Sequence, residues 1–372
     1  MAGIVVFGLI ALALSENRRR IGLKTAFIGI GLQFVVGLLL LKLALFRAFF
    51  LLLNRLVLSL EESTAAGTAF VFGYLGGGPL PFDEKFPGAG FIMAFRALPL
   101  VLVISALSAL LFYWKVLPLV VRAFSWALRK TMGVGGAEGL GVSANVFVGM
   151  VEAPLFIRPY LNHMTRSELF SLMTCGMATI AGTVMVLYAS LLSRTIPDVM
   201  GHILTASIIS VPAAITVSKI MVPETGELTS GAMIAPEKAS GAIDAVTRGT
   251  LQGVTLVINI VAMLVVLVAL VHLLNLILGL VPHWRGQAVT LQRILGLVMA
   301  PVTWLMGIPW EETATAGALM GTKTVLNEFI AYLDLSRLPE GSLAPRSKLI
   351  LTYAMCGFAT VSYTHLRAHE TF

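Results

Sequence analysis

Apolar runs alternate with short polar interruptions along the whole chain, the pattern of a protein that crosses a bilayer several times. A helix needs about 20 apolar residues to span the hydrocarbon core. On that ruler residues 2–14 predict a shortened first span, 21–46 a second, 90–114 a third, 167–192 a fourth, 200–222 a fifth and 251–280 a long, nearly uncharged sixth. The first run has no basic residue ahead of it and no small-residue cleavage site after it, so it reads as a span and not as a signal peptide. Arg18, Arg19, Arg20 and Lys24 place the first connection in the cytoplasm. Residues 48–87 mix apolar runs with Glu61, Glu62, Asp83, Glu84 and a Gly-Pro-rich turn, and predict an interfacial helix and loop on the outer side. Residues 115–132 set Lys115, Arg122, Arg129 and Lys130 among Leu, Val, Phe and Trp, which predicts an amphipathic helix on the cytoplasmic surface.

Two stretches do not fit a simple crossing. The run at 145–160 is too short and is broken by Gly149 and Pro154. Irregular backbone at membrane depth is tolerated only where protein or a wet cavity satisfies it. A helical hairpin that dips in and returns is therefore expected there, and a second at 311–335. Thr179-Ile-Ala-Gly-Thr183 predicts local unwinding inside the fourth span, exposing carbonyls that can bind a cation. The glycine-dense 133–141 reads as a hinge or re-entrant turn, since it lacks the Gly-Lys-Ser/Thr ending of a phosphate loop.

Composition agrees with the pattern. Hydrophobic residues make up 57% of the chain and charged residues 12%, with a mean hydropathy of +0.90. An all-α polytopic membrane protein follows. The net charge of +7 comes from short basic clusters beside apolar spans, which act in orientation and lipid-headgroup contact, so the bilayer is the expected partner and nucleic acid is not. Cys175 and Cys356 have no second Cys or His near them and read as small packing residues, with no metal site. None of the six histidines falls in a pattern with Ser, Asp or Cys that would make a nucleophile and base, so no catalytic residue, cofactor or enzymatic role is expected.

The candidate chemistry lies in two glutamates. Glu152 closes Asn145-Val-Phe-Val-Gly-Met-Val-Glu152, and Glu328 sits in Gly321-Thr-Lys-Thr-Val-Leu-Asn-Glu328. Met173-Thr-Cys-Gly-Met-Ala-Thr179 follows the first, and Ala354-Met-Cys-Gly-Phe-Ala-Thr360 follows the second. The chain thus repeats itself and each copy carries a carboxylate. A charge at mid-membrane costs about 2.5 to 3.5 kcal/mol on insertion scales, so such a residue faces a polar cavity or partner. Paired copies of this kind mark a transporter built from internal repeats. The divisions expected are 1–114, N-terminal spans and interfacial segment; 115–222, first repeat; 223–295, connection and long span; 296–360, second repeat; and 361–372, a tail.

The run Asn145 to Glu152, Cys175-Gly-Met-Ala-Thr-Ile-Ala-Gly, Asn327-Glu-Phe-Ile-Ala-Tyr-Leu and the early Leu14-Ser-Glu-Asn-Arg-Arg together resemble the concentrative nucleoside transporter family, over residues 14–359. The resemblance implies a multi-pass protein of the bacterial inner membrane and a homotrimer with one site per subunit. It also implies a central scaffold formed partly by 1–114, and a transport domain that carries nucleoside by an elevator motion coupled to sodium or protons. It places Gly149, Met150, Val151, Glu152 and Val184 on the nucleobase. It places Glu328, Phe358 and the position of Thr360 on the ribose. The implied sodium site comprises the side chains of Asn145 and Thr179 and the carbonyls of Val148 and Ile180. A carboxylate suits a vicinal diol, because an ionised acceptor strengthens each hydroxyl hydrogen bond. A free nucleobase is the alternative cargo, and a membrane-embedded enzyme the alternative class.

Three departures from the family pattern matter. Met150 and Val151 stand where Gln and Thr are usual; Thr179 stands where Ser is common, keeping a hydroxyl; and Thr360 stands where an Asn is expected, three residues before a Ser. From residue 361 the polar string, with His365, His369 and Glu370, reads as a translated sequencing adapter and not as a zinc motif. On that reading the ribose-facing Asn and Ser and a last span are missing. Met150 and Val151 cannot hydrogen-bond a base edge through their side chains. Apolar contact discriminates by only about 1 to 3 kcal/mol, so uptake assays with labelled adenosine and uridine are expected to agree within about tenfold. The substitutions Met150→Gln and Val151→Thr should widen the difference. A thousandfold separation in the unmodified protein would place selectivity elsewhere.

Overall fold

The computed structural model describes residues 2–83, 90–147, 153–193, 195–231, 239–280 and 288–357, and among them it is helical throughout, with no strand. The N-terminal part runs α1 (Ala2–Ala13), α2 (Leu23–Lys42), α3 (Ala44–Phe72), α4 (Met93–Arg96), α5 (Leu100–Tyr113) and α6 (Val116–Met132). The first repeat follows as α7 (Gly136–Phe147), a 3-10 segment (Ala153–His163), α8 (Arg166–Ala178), α9 (Gly182–Leu192) and α10 (Val199–Met221). After α11 (Ala242–Leu278) come α12 (Leu291–Leu305), α13 (Thr313–Val325), α14 (Glu328–Arg337) and α15 (Pro345–Met355). By length and apolarity, four helical stretches among the described residues can cross a membrane: Lys24–Lys42, Met93–Tyr113, Val199–Met221 and Ala242–Leu278.

Where structure and sequence pattern diverge, the reasons are physical. Residues 44–72 form one continuous helix of 29 residues, not an interfacial helix and loop: Glu61 and Glu62 lie beside polar Ser63 and Thr64 within it, Gly67 is carried without a break, and the helix ends at Gly73, where φ is +60°. Pro99 splits the third span into α4 and α5. The amphipathic start of the long span fuses to it, so α11 has 37 residues and is about 56 Å long, well over the ~30 Å core. The glycine-dense 133–141 is not a hinge throughout. Gly133 caps α6 at φ +67°, but Gly139 and Gly141 lie within α7, where a side chain would strike Ser125 and Arg129, or Leu172 and Ile157. Their role is close packing.

Glycines also set the closest helix pairs. A methyl on Gly249 of α11 would lie 2.6 Å from the Ser105 carbonyl of α5. One on Gly317 of α13 would collide with the Gly296 carbonyl of α12. The main core gathers α5, α9, α10, α13, α14 and α15 around the fully buried Tyr188, Tyr332, Leu187, Ile203 and Leu351. Exposed large apolar side chains on α1, α2, α3 and α11, such as Phe27, Phe34, Leu45, Val265 and Leu276, suit lipid or another apolar surface.

One end of the bundle is held by a buried polar network. Thr165 caps α8 in a reciprocal box with Glu168. Glu168 also accepts from the Thr229 amide at 2.9 Å and its hydroxyl at 2.7 Å. The Thr229 carbonyl accepts from the Gly136 amide at 2.8 Å, and its hydroxyl, whose one proton is shared with Glu168, lies 2.9 Å from the His163 carbonyl. The start of α7 and the end of the 3-10 segment therefore converge on one threonine, which makes the first hairpin open at this end. Lys219 of α10 donates to Glu138 of α7 at 3.2 Å, to Glu224 at 3.3 Å and to Ser167 at 3.2 Å.

Burial pushes the Glu224 carboxyl up, but the Gly226 amide, the Thr165 hydroxyl and Lys219 outweigh it and hold it below the ordinary carboxylate value. An acid depressed in this way contributes stability above its unfolded value of about 4.3, lost as pH falls through the folded one. Glu138 is wholly buried, so its cation partner decides the larger effect. Lys219→Met should destabilise the protein by about 3–5 kcal/mol, because it strands a buried carboxylate. Thermal unfolding in detergent should show the loss, and adding Glu138→Met should recover most of it. A single variant as stable as the parent would show that the pair is not structural.

Candidate functional site

Each repeat breaks a helix where a hairpin meets it. In the first, α8 ends at Thr179, whose amide and hydroxyl both donate to the Cys175 carbonyl, at 3.1 and 2.9 Å. Ile180 and Ala181 are extended or buried linkers, and α9 resumes at Gly182. A methyl on Gly182 would lie 2.7 Å from the Phe147 carbonyl oxygen, so the end of the hairpin helix α7 presses on the break and only glycine permits it. Asn145, two residues before Phe147 on α7, donates from Nδ2 to the Leu172 carbonyl of α8 at 3.4 Å. Its Oδ1 is buried and has no hydrogen-bond partner among the described residues.

In the second repeat, α15 ends at Cys356 and Gly357 follows at φ +153°, a conformation that favours glycine. A side chain there would meet the Met177 and Ala178 carbonyls at 2.7 and 3.0 Å, so the two breaks abut. The thiols match: Cys175 donates to the Val211 carbonyl and Cys356 to the Ile203 carbonyl, both on α10. Lys323 of α13, itself buried, donates to the Ala354 carbonyl at 2.9 Å, and Tyr332 donates to the Thr352 carbonyl at 2.8 Å. These donors occupy carbonyls beside the second break.

Glu328 is the first residue of α14, capped by Asn327, whose side chain accepts from the Ile330 amide at 2.9 Å. A carboxylate at a helix N-terminus gains from the helix dipole. Tyr188 of α9 donates to Glu328 Oε1 at 2.7 Å, while Oε2 is buried with no hydrogen-bond partner among the described residues. Val184 lies four residues before Tyr188, on the same face of α9.

Of the residues expected from the sequence, Asn145 and Thr179 lie on the packed elements α7 and α8, with Ile180 in the break beside them; Val184 and Glu328 come to adjoining faces of α9 and α14. Val148, Gly149, Met150, Val151, Glu152, Phe358, Thr360 and the tail lie outside the described residues. Tyr188 and Lys323 were not singled out from the sequence. A lysine five residues before an intramembrane glutamate is a signal that could have been used. A tyrosine in an apolar run carries almost none.

A hairpin paired with a broken helix, twice over, in a helical membrane protein defines a secondary transporter. The sequence matches family descriptions for a Na+ dependent nucleoside transporter N-terminus over residues 2–75 and C-terminus over 202–364, and a nucleoside recognition region over 94–195. The chain belongs to the concentrative nucleoside transporter family, a transporter family and not an enzyme family, and is an integral, multi-pass membrane protein. It is 35% identical to the uncharacterized transporter YutK of Bacillus subtilis, over 97% of this chain and 87% of that protein. It is equally identical to the nucleoside permease NupC of Helicobacter pylori, over 97% and 86%. It is 32% identical to human solute carrier family 28 member 3, of which it spans 52%. The solved structure of CNTnw in an inward-facing, substrate-bound state superposes with a TM-score of 0.90 at 34% identity, covering 100% of this chain and 88% of that one.

The Gly182 contact yields a direct test. The obstructing atom is backbone, so Gly182→Ala must shift α7 or α9, and overpacking of this kind costs about 1–3 kcal/mol. The sodium concentration for half-maximal nucleoside uptake is expected to rise about tenfold or more. Unchanged sodium activation would mean that the cation binds away from this break.

Proposed function

We propose that the protein takes up nucleosides by symport with sodium. The observation that carries this reading is the buried Glu328, with one carboxylate oxygen held by Tyr188 and the other unpartnered among the described residues. That oxygen accepts a ribose hydroxyl, while residues 149–152 and Val184 face the base and Phe358 and Thr360 adjoin the sugar. Sodium binds between Asn145 and Thr179, with carbonyls from Val148 and Ile180. The unpartnered Asn145 Oδ1 supports this, since a hard cation takes an all-oxygen shell.

Substrate and ion are both cargo. They sit where the hairpins meet the broken helices, so a rigid movement of the two repeats against the scaffold helices transfers them together. The structural relative CNTnw is solved in inward-facing, outward-facing and intermediate states, and all superpose on this chain with TM-scores of 0.88 to 0.90. An elevator motion between states of that kind is the movement proposed here, with α3, α5 and α11 as scaffold. The exposed apolar faces of α3 and α11 suit a homotrimer in the bacterial inner membrane.

Uptake of labelled uridine into proteoliposomes tests the reading. It should require a sodium gradient, and Asn145→Leu should abolish that dependence or the transport. Uridine should outcompete uracil and 2′,3′-dideoxyuridine by roughly ten- to a hundredfold, the worth of one charge-assisted hydrogen bond of about 1.5 to 3 kcal/mol. Equal competition by uracil and uridine would favour a nucleobase transporter. Full uptake in sodium-free buffer from mildly acidic to neutral pH would favour proton coupling.

A further inference from the structure

Resting on that reading of Glu328, we propose that Tyr188 is the positioning residue that presents this carboxylate to the sugar, fixing Oε1 so that Oε2 faces the ribose.

The bond is short, 2.7 Å, and both side chains are buried, Tyr188 at 1% exposure and Glu328 at 4%. A hydroxyl on an ionised oxygen in such surroundings is among the stronger hydrogen bonds available to a protein. It also joins the repeats, since Tyr188 belongs to the broken helix of the first and Glu328 to the hairpin of the second.

The phenol is positioned independently of the acid. Its ring packs on Tyr332 at a centroid distance of 4.9 Å and on Phe329 at 6.2 Å, and Tyr332 is anchored in turn by its bond to the Thr352 carbonyl. Glu328 thus meets a donor whose place is already set. A carboxylate pinned at one oxygen retains little freedom about its last torsion, so the second oxygen occupies a defined point. A defined acceptor is what recognition of a hydroxyl at one position of a sugar requires, because a misplaced ligand group forfeits affinity steeply.

The helix also sets a distance. Val184 and Tyr188 stand one turn apart on the same face of α9, about 6 Å along the axis. The same turn therefore serves both ends of a nucleoside: one residue touches the base and the other aims the acid at the sugar. Lys323 of α13 is bonded to the Ala354 carbonyl at 2.9 Å, so its hydrogen bond goes to the second break.

Tyr188→Phe removes the hydroxyl and keeps the packed ring. In competition binding on purified protein, affinity for uridine should fall about tenfold while that for 2′,3′-dideoxyuridine changes by less than about twofold. In a Glu328→Gln background the same substitution should leave the ratio of the two affinities unchanged. Replacing Tyr188 by 4-aminophenylalanine, which restores a donor on the ring, should recover the ratio. Equal losses for both ligands would reduce Tyr188 to packing and overturn the proposal. So would a large ratio in the unmodified protein that persists in Tyr188→Phe, leaving the ribose assignment of Glu328 intact. A ratio near one in the unmodified protein would remove that assignment itself, and the proposal with it.

Discussion

A helix broken at membrane depth leaves amides and carbonyls with no water to satisfy them, and each one left bare there costs several kilocalories per mole. The architecture of this chain follows from how two such breaks are supported. Thr179 caps its own helix end through the Cys175 carbonyl, Lys323 and Tyr332 cover carbonyls near the second break, and Gly357 lets the two interruptions press together. Among the described residues Asn145 Oδ1 and Glu328 Oε2, one neutral and one acidic, are buried without a hydrogen-bond partner, as are oxygens of Glu138, Thr205, Ser207, Glu312 and Ser347 away from these two. A polar group kept unsatisfied in a packed interior is costly unless a ligand completes it.

The same economy explains the polar end of the bundle. Glu138, Lys219, Glu224 and Glu168 lie among hydroxyl and amide partners that tie α7, α8, α10 and the following loop into one block. If the hairpin and its broken helix are to travel together, they must be joined more firmly to each other than to the helices they slide past. A buried ionic network adds little net stability, but it specifies a single arrangement. Apolar contacts between α9 and α5, by contrast, are of the kind that can be exchanged for similar ones at a shifted register.

Much of this was legible in the sequence because it rests on polarity out of place. Glu328 stands out in an apolar run, Thr179 and Gly182 announce a break, and the recurrence of Cys-Gly before each interruption exposes the duplication. Tyr188 was not legible: in sequence it is one more large residue in a hydrophobic helix, and its meaning arises only when a segment 140 positions away is brought against it. The glycines of α7 misled for a related reason. Flexibility and close approach call for the same residue, and only the neighbours Leu172 and Ile157 distinguish them. Residues 44–72 misled because four acids in 48–87 suggested a loop, although two of them sit mid-helix and the others follow it.

The two thiols give a practical consequence. Cys175 and Cys356 are the chain's complement of cysteine, both are buried, and each is engaged with a carbonyl of α10 at points eight residues, or about 12 Å, apart. Neither offers a surface to a bulky maleimide. The native chain is thus already a near-silent background for attaching spectroscopic labels, and a single cysteine introduced on α3 or on an arm of either hairpin would report its own movement without first stripping the protein of residues on which both breaks are hung.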